Sequence, residues 1–349
     1  MAGPDPNANG GIASVAKNYL NYGLSDLCDL KYLVTTGEGS KFQKAQLFCV
    51  SYRSYAGLVA KYDVVHLHVS TGASFFRKYL FAQRALKKGV PYIIHLHSGK
   101  FASFYENASH KKQGMIREFL GNAAIVIALS EEWRNYLAKK HLCSTRNIAV
   151  LHNAVVFPDS ISNLANKKVL FLGRLDSNKS PDVLLRAGAK LYEQRKDFTL
   201  VFAGDGEIEK YKSLANDLGI VEQCEFLGWV AEGKKELFSS CNVFCLPSKA
   251  EGMPMSLLEA MAHGLVVIAT PVGGVPQIIK QNKNGILMPV DGVDYLAETL
   301  NKLFDNRSLC RQLSNSARLS IKQDFGMQVH LGKLIDIYSS ILTDCNIGN

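Results

Sequence analysis

The chain predicts an α/β protein of two doubly wound domains, and three observations carry that reading. Its 349 residues are long for a single core and suit about two domains. Short apolar, β-branched runs alternate with helical stretches along most of its length. That alternation lapses once, from Val155 to Asn166, where Pro, Asp, Ser and Asn mark a linker. At 47% hydrophobic and 20% charged, the composition is that of a globular chain, neither disordered nor fibrous. No apolar run approaches the roughly 20 residues that span a bilayer. The opening MAGPDPNANGG lacks the basic and apolar regions of a signal peptide, and the eight cysteines are scattered without a CxxC pair. Reduced cysteines and a cytoplasmic location are expected.

In the first half, the Asn9-Gly10-Gly11 turn precedes an amphipathic helix from Ile12 to Tyr22. Strands are expected at Tyr32–Thr35, Val64–His68, Tyr92–His97, Ile125–Leu129 and Ile148–Leu151, with helices at Ser74–Lys88 and Glu131–Lys140. Beyond the linker come strand Val169–Leu172, helix Asp182–Arg195, strand Thr199–Phe202 and helix Glu207–Leu218. Strand Cys224–Leu227 and helix Lys234–Ser239 follow. Helices from about Tyr295 finish the chain. The domains expected are 1–155, 156–325 and a C-terminal helix, 326–349, that crosses back to the first. Charge divides the same way: residues 1–155 hold 19 Lys and Arg against 9 Asp and Glu, the remainder 21 against 22. A basic first half fits an anionic partner.

The densest unit is Asn242–Gln277, NVFCLPSKAEGMPMSLLEAMAHGLVVIATPVGGVPQ. A strand to Leu246 leads into a polar loop with Glu251 and Gly252. Pro254 suits the first turn of a helix Met255–His263, since its missing N–H needs no partner there, and Gly264 suits the C-terminal cap. Val266–Ala269 reads as a parallel strand. Ligands in such units bind beyond the carboxyl ends of the strands, which puts Glu251 in a crevice with Glu259 eight residues on. Gly173-Arg174 through Lys179-Ser180-Pro181 also follows a strand. Ser180 reads as an N-cap, and the two cations beside a helix N-terminus make either an anion site or a solvated loop. Ala203-Gly204-Asp205-Gly206 is weak on its own, because a tight turn needs the same glycines. His66 with His68, and His95 with His97, share strand faces. A zinc site is not expected, since no carboxylate or cysteine completes the ligands; His66 and His95 are expected to face the core, and His97 the crevice.

GR…K after a strand, AGDG, FLG and EGMPMSLLEAMAHGLVVIATPVGG together resemble the retaining group-1 glycosyltransferases, family four, of GT-B architecture. The likeness is densest from Val169 to Pro289, and Glu251 with Glu259 matches the family's E-x7-E motif. In the first half it is looser, through Gly10-Gly11-Ile12, VVHLH, PYIIHLHSG and the Leu151-His-Asn153 junction.

This resemblance implies two Rossmann-like domains facing a central cleft. It implies that Arg174 and Lys179 bind the diphosphate of a nucleotide-sugar, with no metal or cofactor. Glu259 then accepts hydrogen bonds from the ribose, and Glu251 lies near the transferred sugar. Gly204, Gly252, Met253, Pro254, Met255, Ser256 and Leu257 belong to the donor site, where backbone N–H groups meet phosphate and sugar oxygens. His97 lies close to the anomeric carbon, and Gly10 and Gly11 let a loop approach the diphosphate. The acceptor is expected to be a polyprenyl-diphosphate-linked or other envelope glycan, not nucleic acid. Phe75-Phe76-Arg77-Lys78-Tyr79-Leu80, Lys87-Lys88 and the stretch Lys100 to Lys112 either form a peripheral membrane surface or fill and solvate the first domain.

Two features depart from the family. Only Met1-Ala2-Gly3-Pro4 precede Asp5, so the first strand is expected to be missing or a stub, and a misassigned start codon explains it. Gln277 stands where relatives often have Glu. The rival readings are a truncated, catalytically silent nucleotide-sugar binder, and a GT-B nucleotide-sugar epimerase that needs no acceptor.

Overall fold

Apolar runs of four or five residues, buried on both faces, build parallel sheets, and this chain builds two. The computed structural model describes the backbone of residues 1–347 apart from Ser160 and Ala231, and side chains as far as Thr343. The last residues of the expected segment 326–349 and the Cys345 side chain thus lie outside the described residues. The chain divides into one unit of Met1–Ala154 plus the segment from Met327 onward, and a second of Val155–Gly326.

The first sheet uses β1 (Ala2–Pro4), β2 (Leu33–Thr36), β3 (Val65–Val69), β4 (Tyr92–Leu96), β5 (Ile125–Ala128) and β6 (Ile148–Val150), ordered β2-β1-β3-β4-β5-β6 and parallel throughout. The first strand is therefore not missing. It is a three-residue stub in a central place, between β2 and β3. Ala2 is buried, and β2 with the residue before it supplies what the short sequence lacks: Thr35 Oγ1 donates to the Gly3 carbonyl (2.8 Å) and Tyr32 OH to that of Pro4 (2.6 Å). The helix Gly11–Asn21 follows, and the last helix, Met327–Ile347, buries Leu331, Leu334 and Ile341.

Of the aromatic and basic stretch expected either at a membrane or in the domain interior, the aromatics are buried or half-buried, while Leu80, Lys87, Lys88, Lys100, Lys111 and Lys112 are exposed. Residues 75, 78, 82 and 85 repeat at helical spacing in the helix Ala73–Lys87 and are buried. Phe75 packs edge-on to Phe119, and Phe101 and Tyr105 join the same core. Lys78 is 1% exposed, and its Nζ donates to Thr35 Oγ1 at 2.6 Å. A helix that no apolar stripe announced, Lys41–Leu58, carries a capping box between Ser40 and Gln43 and leaves Phe42 and Val50 exposed.

The second sheet uses β7 (Lys168–Leu172), β8 (Thr199–Ala203), β9 (Cys224–Gly228), β10 (Val243–Leu246), β11 (Val266–Ala269) and β12 (Ile286–Leu287), ordered β12-β11-β10-β7-β8-β9 and again parallel. Strand order reverses between β7 and β10. In an open parallel sheet, the loops leaving such a switch point form the ligand crevice. Among the described residues no helix is long and apolar enough to cross a membrane.

Candidate active site

Both loops leaving the switch point of the second unit carry the charges singled out from sequence. Lys179 Nζ, after β7, lies 2.6 Å from Glu251 Oε1, after β10. Glu251 is 8% exposed, so its carboxylate depends on this cation for compensation. The loops are also tied through backbone. Lys249 N donates to the Asn178 carbonyl (2.7 Å), and Asn178 Nδ2 donates to that of Ala250 (3.1 Å). Asp176 shapes the turn by accepting from the backbone N–H groups of Asn178 and Lys179, both at 3.0 Å.

Ser180 occupies the N-cap position of the helix Pro181–Tyr192 without capping it through its side chain. It adopts the left-handed conformation (φ 50°) and donates its hydroxyl to Ser177 O instead. Arg174 is the most open member, its side chain 63% exposed and 3.8–3.9 Å from Asp176 and Asp205. A guanidinium held this loosely is free to turn toward an arriving anion.

Pro254 stands at the N-cap of the helix Met255–Ala262, one position before the expected first turn. Met253, Met255 and Leu257 bury their side chains, so the segment Gly252–Leu257 has mainly backbone, and the half-buried Ser256, to offer a ligand. The helix ends at His263 and Gly264 in a Schellman arrangement, with Leu265 N donating to Ala260 O and Gly264 N to Met261 O. Glu259 lies on this helix, 3.6 Å from Lys234 Nζ. Burial raises its pKa, and Lys234 opposes the rise.

Glycines let neighbouring loops approach one another. A Cβ on Gly204 (φ 153°) would lie 1.9 Å from the Gly173 carbonyl oxygen, so AGDG packs against the Arg174 loop. Gly273 (φ 56°) does the same beneath Glu251, and Gly274 N donates to Gly252 O at 2.7 Å.

In the first unit, the four histidines gather on one face of β3 and β4. His66 Nε2 is 3.2 Å from His95 Nδ1, and His68 Nδ1 is 2.9 Å from His97 Nε2. Burial holds all four below the ordinary imidazole value, so they are neutral at pH 7. His66 and His95 are buried and His97 is half-buried at the end of β4. The last helix adds Tyr338, 2.7 Å from His66 Nδ1, and His330, 2.6 Å from Tyr19 OH. Gly10, at the N-cap of Gly11–Asn21, takes a glycine-only conformation (φ 130°, ψ 159°) with open space beside it.

The structure thus brings Lys179 to Glu251 with Arg174 nearby, and sets Glu259 on the helix that follows. Sequence reasoning missed Lys234, Asp176 and Asn178 as supports. Asp176 had a local signal, an Asp two and three residues before the amides it holds. Lys234 had none, lying 25 positions from its partner.

Residues 156–320 match the family model described as glycosyl transferases group 1, and residues 35–156 match that of glycosyltransferase family 4. A glycosyltransferase of Haemophilus influenzae is 30% identical over 221 residues, covering 62% of this chain and 60% of that protein. This chain therefore spans about three-fifths of that relative's length. The UDP-Gal:α-D-GlcNAc-diphosphoundecaprenol α-1,3-galactosyltransferase of Escherichia coli is 26% identical over 308 residues, covering 81% and 77%. The sucrose-phosphate synthase of Thermosynechococcus elongatus shares the fold, with a TM-score of 0.77 at 18% identity over 98% of each chain. The two family matches meet at residue 156 and together run from 35 to 320, and the chain belongs to the group 1 glycosyltransferases of family four, with the GT-B fold.

Proposed function

We propose that the protein is a retaining, metal-independent glycosyltransferase moving a hexose or N-acetylhexosamine from a UDP-sugar to a lipid-linked or envelope glycan. The observation that carries this reading is the Lys179–Glu251 pair at the β7/β10 switch point, with Arg174 beside it. A charged pair at a ligand crevice, next to an exposed guanidinium and a helix N-terminus, suits a bound diphosphate and sugar. The E. coli relative, by its name, uses UDP-Gal and a diphosphoundecaprenol-linked acceptor.

In this mechanism Arg174 and Lys179 neutralise the charge that develops on the departing diphosphate, the work a metal ion would otherwise do. Glu259 accepts hydrogen bonds from the ribose, Glu251 from hydroxyls of the transferred sugar, and the backbone from Gly252 to Leu257 donates to phosphate and sugar oxygens. His97 and the Gly10-Gly11 turn take the roles their family counterparts imply, at the anomeric carbon and the diphosphate. The acceptor hydroxyl attacks the face the nucleotide leaves, through an oxocarbenium-like transition state, and the leaving phosphate takes its proton. Retention follows.

The acceptor places the enzyme at the cytoplasmic face of a membrane as a peripheral protein, in surface-polysaccharide, O-antigen or capsule assembly. The basic first half and the exposed Phe42 and Val50 support that location, while Phe75 and Lys78 take no part. The test is a panel of UDP-, GDP- and ADP-sugars with polyprenyl-diphosphate-linked acceptors, run in EDTA and in magnesium. Transfer from a UDP-sugar at equal initial rates, with the anomeric configuration kept, is expected. Inversion, an absolute magnesium requirement, or conversion of a UDP-sugar without acceptor would overturn it.

A further inference from the structure

We propose that His66, His68 and His95, on adjacent strands of the first unit, form a binding site for a borderline-soft divalent metal ion of the zinc kind. Each of the three is buried and offers one ring nitrogen, and these nitrogens lie within 4.8 Å of one another. All three histidines belong to the first unit, and the Lys179–Glu251 pair belongs to the second.

The hydrogen bonds point the same way. His68 Nε2 and His95 Nε2 are buried with no hydrogen-bond partner. An orphaned N–H is costlier in a protein interior than an orphaned acceptor, so both atoms are best assigned as bare lone pairs. The protons then sit on the Nδ1 atoms. That of His95 is donated to His66 Nε2 (3.2 Å), and that of His68 to His97 Nε2 (2.9 Å). The Nδ1–H of His66 is left to bond Tyr338 OH at 2.7 Å. The network closes without conflict and leaves two unshared lone pairs in the interior, which is what a metal ligand presents before its ion arrives.

Distances favour the same ion. Zinc–imidazole bonds of about 2.0–2.1 Å in a tetrahedron hold ligand nitrogens roughly 3.4 Å apart. The ligand nitrogens lie within 4.8 Å of one another, so the longest edge closes by little more than an ångström, within reach of ring rotation. Ligation at His66 exchanges its bond from His95 for a metal bond. The Tyr338 contact is then the outer-shell partner that fixes tautomer and orientation in metal-bound histidines. An all-imidazole set suits zinc, copper or nickel and disfavours magnesium or calcium. A bound ion would fasten β3 to β4 and, through Tyr338, to the last helix.

The experiment uses untagged full-length protein, stripped by a chelator and titrated with Co2+, then with Zn2+ against a chromophoric chelator. One Co2+ per chain with the visible absorption of a tetrahedral site, displaced by one Zn2+, is expected. His68→Gln and His95→Gln should each weaken zinc binding by at least about tenfold. His110→Gln, at an exposed histidine outside the cluster, should leave it unchanged. Should the buried variants fail to fold, ring 15N shifts of the wild-type histidines on zinc addition identify the ligands directly. Absence of a tetrahedral cobalt spectrum, or zinc binding lost in His110→Gln and kept in His95→Gln, overturns the proposal.

Discussion

Gly273 is a sensitive point in the second unit, because its neighbour is the backbone of Glu251. In Gly273→Ala the new methyl would lie 2.0 Å from the Glu251 carbonyl oxygen and 2.8 Å from its carbon. Close C···O contacts run about 3.3–3.6 Å, so one segment must retreat by more than an ångström. Two costs add. A non-glycine residue at φ 56° costs about 1–2 kcal/mol, and displacement within a packed loop costs about 1–3 kcal/mol more. Gly219 separates them, since it has φ 69° and nothing within 4 Å of a Cβ. Gly219→Ala should therefore show only the first cost. For a unit of this size each kcal/mol lowers the thermal midpoint by about 2–4 °C, a difference calorimetry resolves. Moving the Glu251 backbone by an ångström should also cut transfer by about a hundredfold in Gly273→Ala. Equal midpoints for the two variants, or transfer by Gly273→Ala within twofold of wild type, would refute the reasoning.

Lys179→Ala and Glu251→Ala should each lower kcat by about 10²–10³ while circular dichroism shows the fold retained, and near-normal turnover in both would remove their assignments. Lys234→Ala takes away the cation that opposes the raised pKa of Glu259. Glu259 then protonates at higher pH, and the donor KM should rise earlier on acidification with kcat little changed; superimposed KM profiles would count against it. Lys78 is lowered to about 7, first by burial and then by Arg77. Unfolded lysine titrates near 10.4, so between these values the unfolded chain holds the extra proton and stability rises with pH. From pH 7 to 9 wild type should gain on Lys78→Met by at most about 1.4 kcal/mol per pH unit, read from denaturant midpoints; a pH-independent difference would show that Lys78 is not held neutral.

Sequence made the β7 and β10 loops legible because a continuous apolar run, a break and a capped helix leave little choice of chain path. Glu251 and Lys179 followed from that path. The helix Lys41–Leu58 escaped because its first turns are exposed and carry no stripe, although Ser40 and Gln43 stand at capping-box spacing. β1 could be read only as missing or a stub, because Ala2-Gly3-Pro4 has no β-branched residue, and its place is secured by Thr35 of β2 and the adjacent Tyr32, about thirty positions away. Lys78 was read by its charge, although Phe75, Ala82 and Ala85 at helical spacing already placed it on the inner face. Contacts such as Lys234 to Glu259 depend on two distant elements meeting, and no local pattern encodes that.

The division of the chain sets an order for synthesis. Val155 N bonds Phe325 O at 2.9 Å, and Val155 pairs with Gly326, so the second unit begins and ends at one place on its surface. It is an insertion within the first. A ribosome delivers every strand of the first sheet before the second unit, but the helix bearing His330 and Tyr338 only after it. The inserted unit can therefore finish folding while the earlier sheet still waits for its final helix. In that interval the histidine face lacks its cover from the helix Met327–Ile347, and the first unit cannot complete its fold.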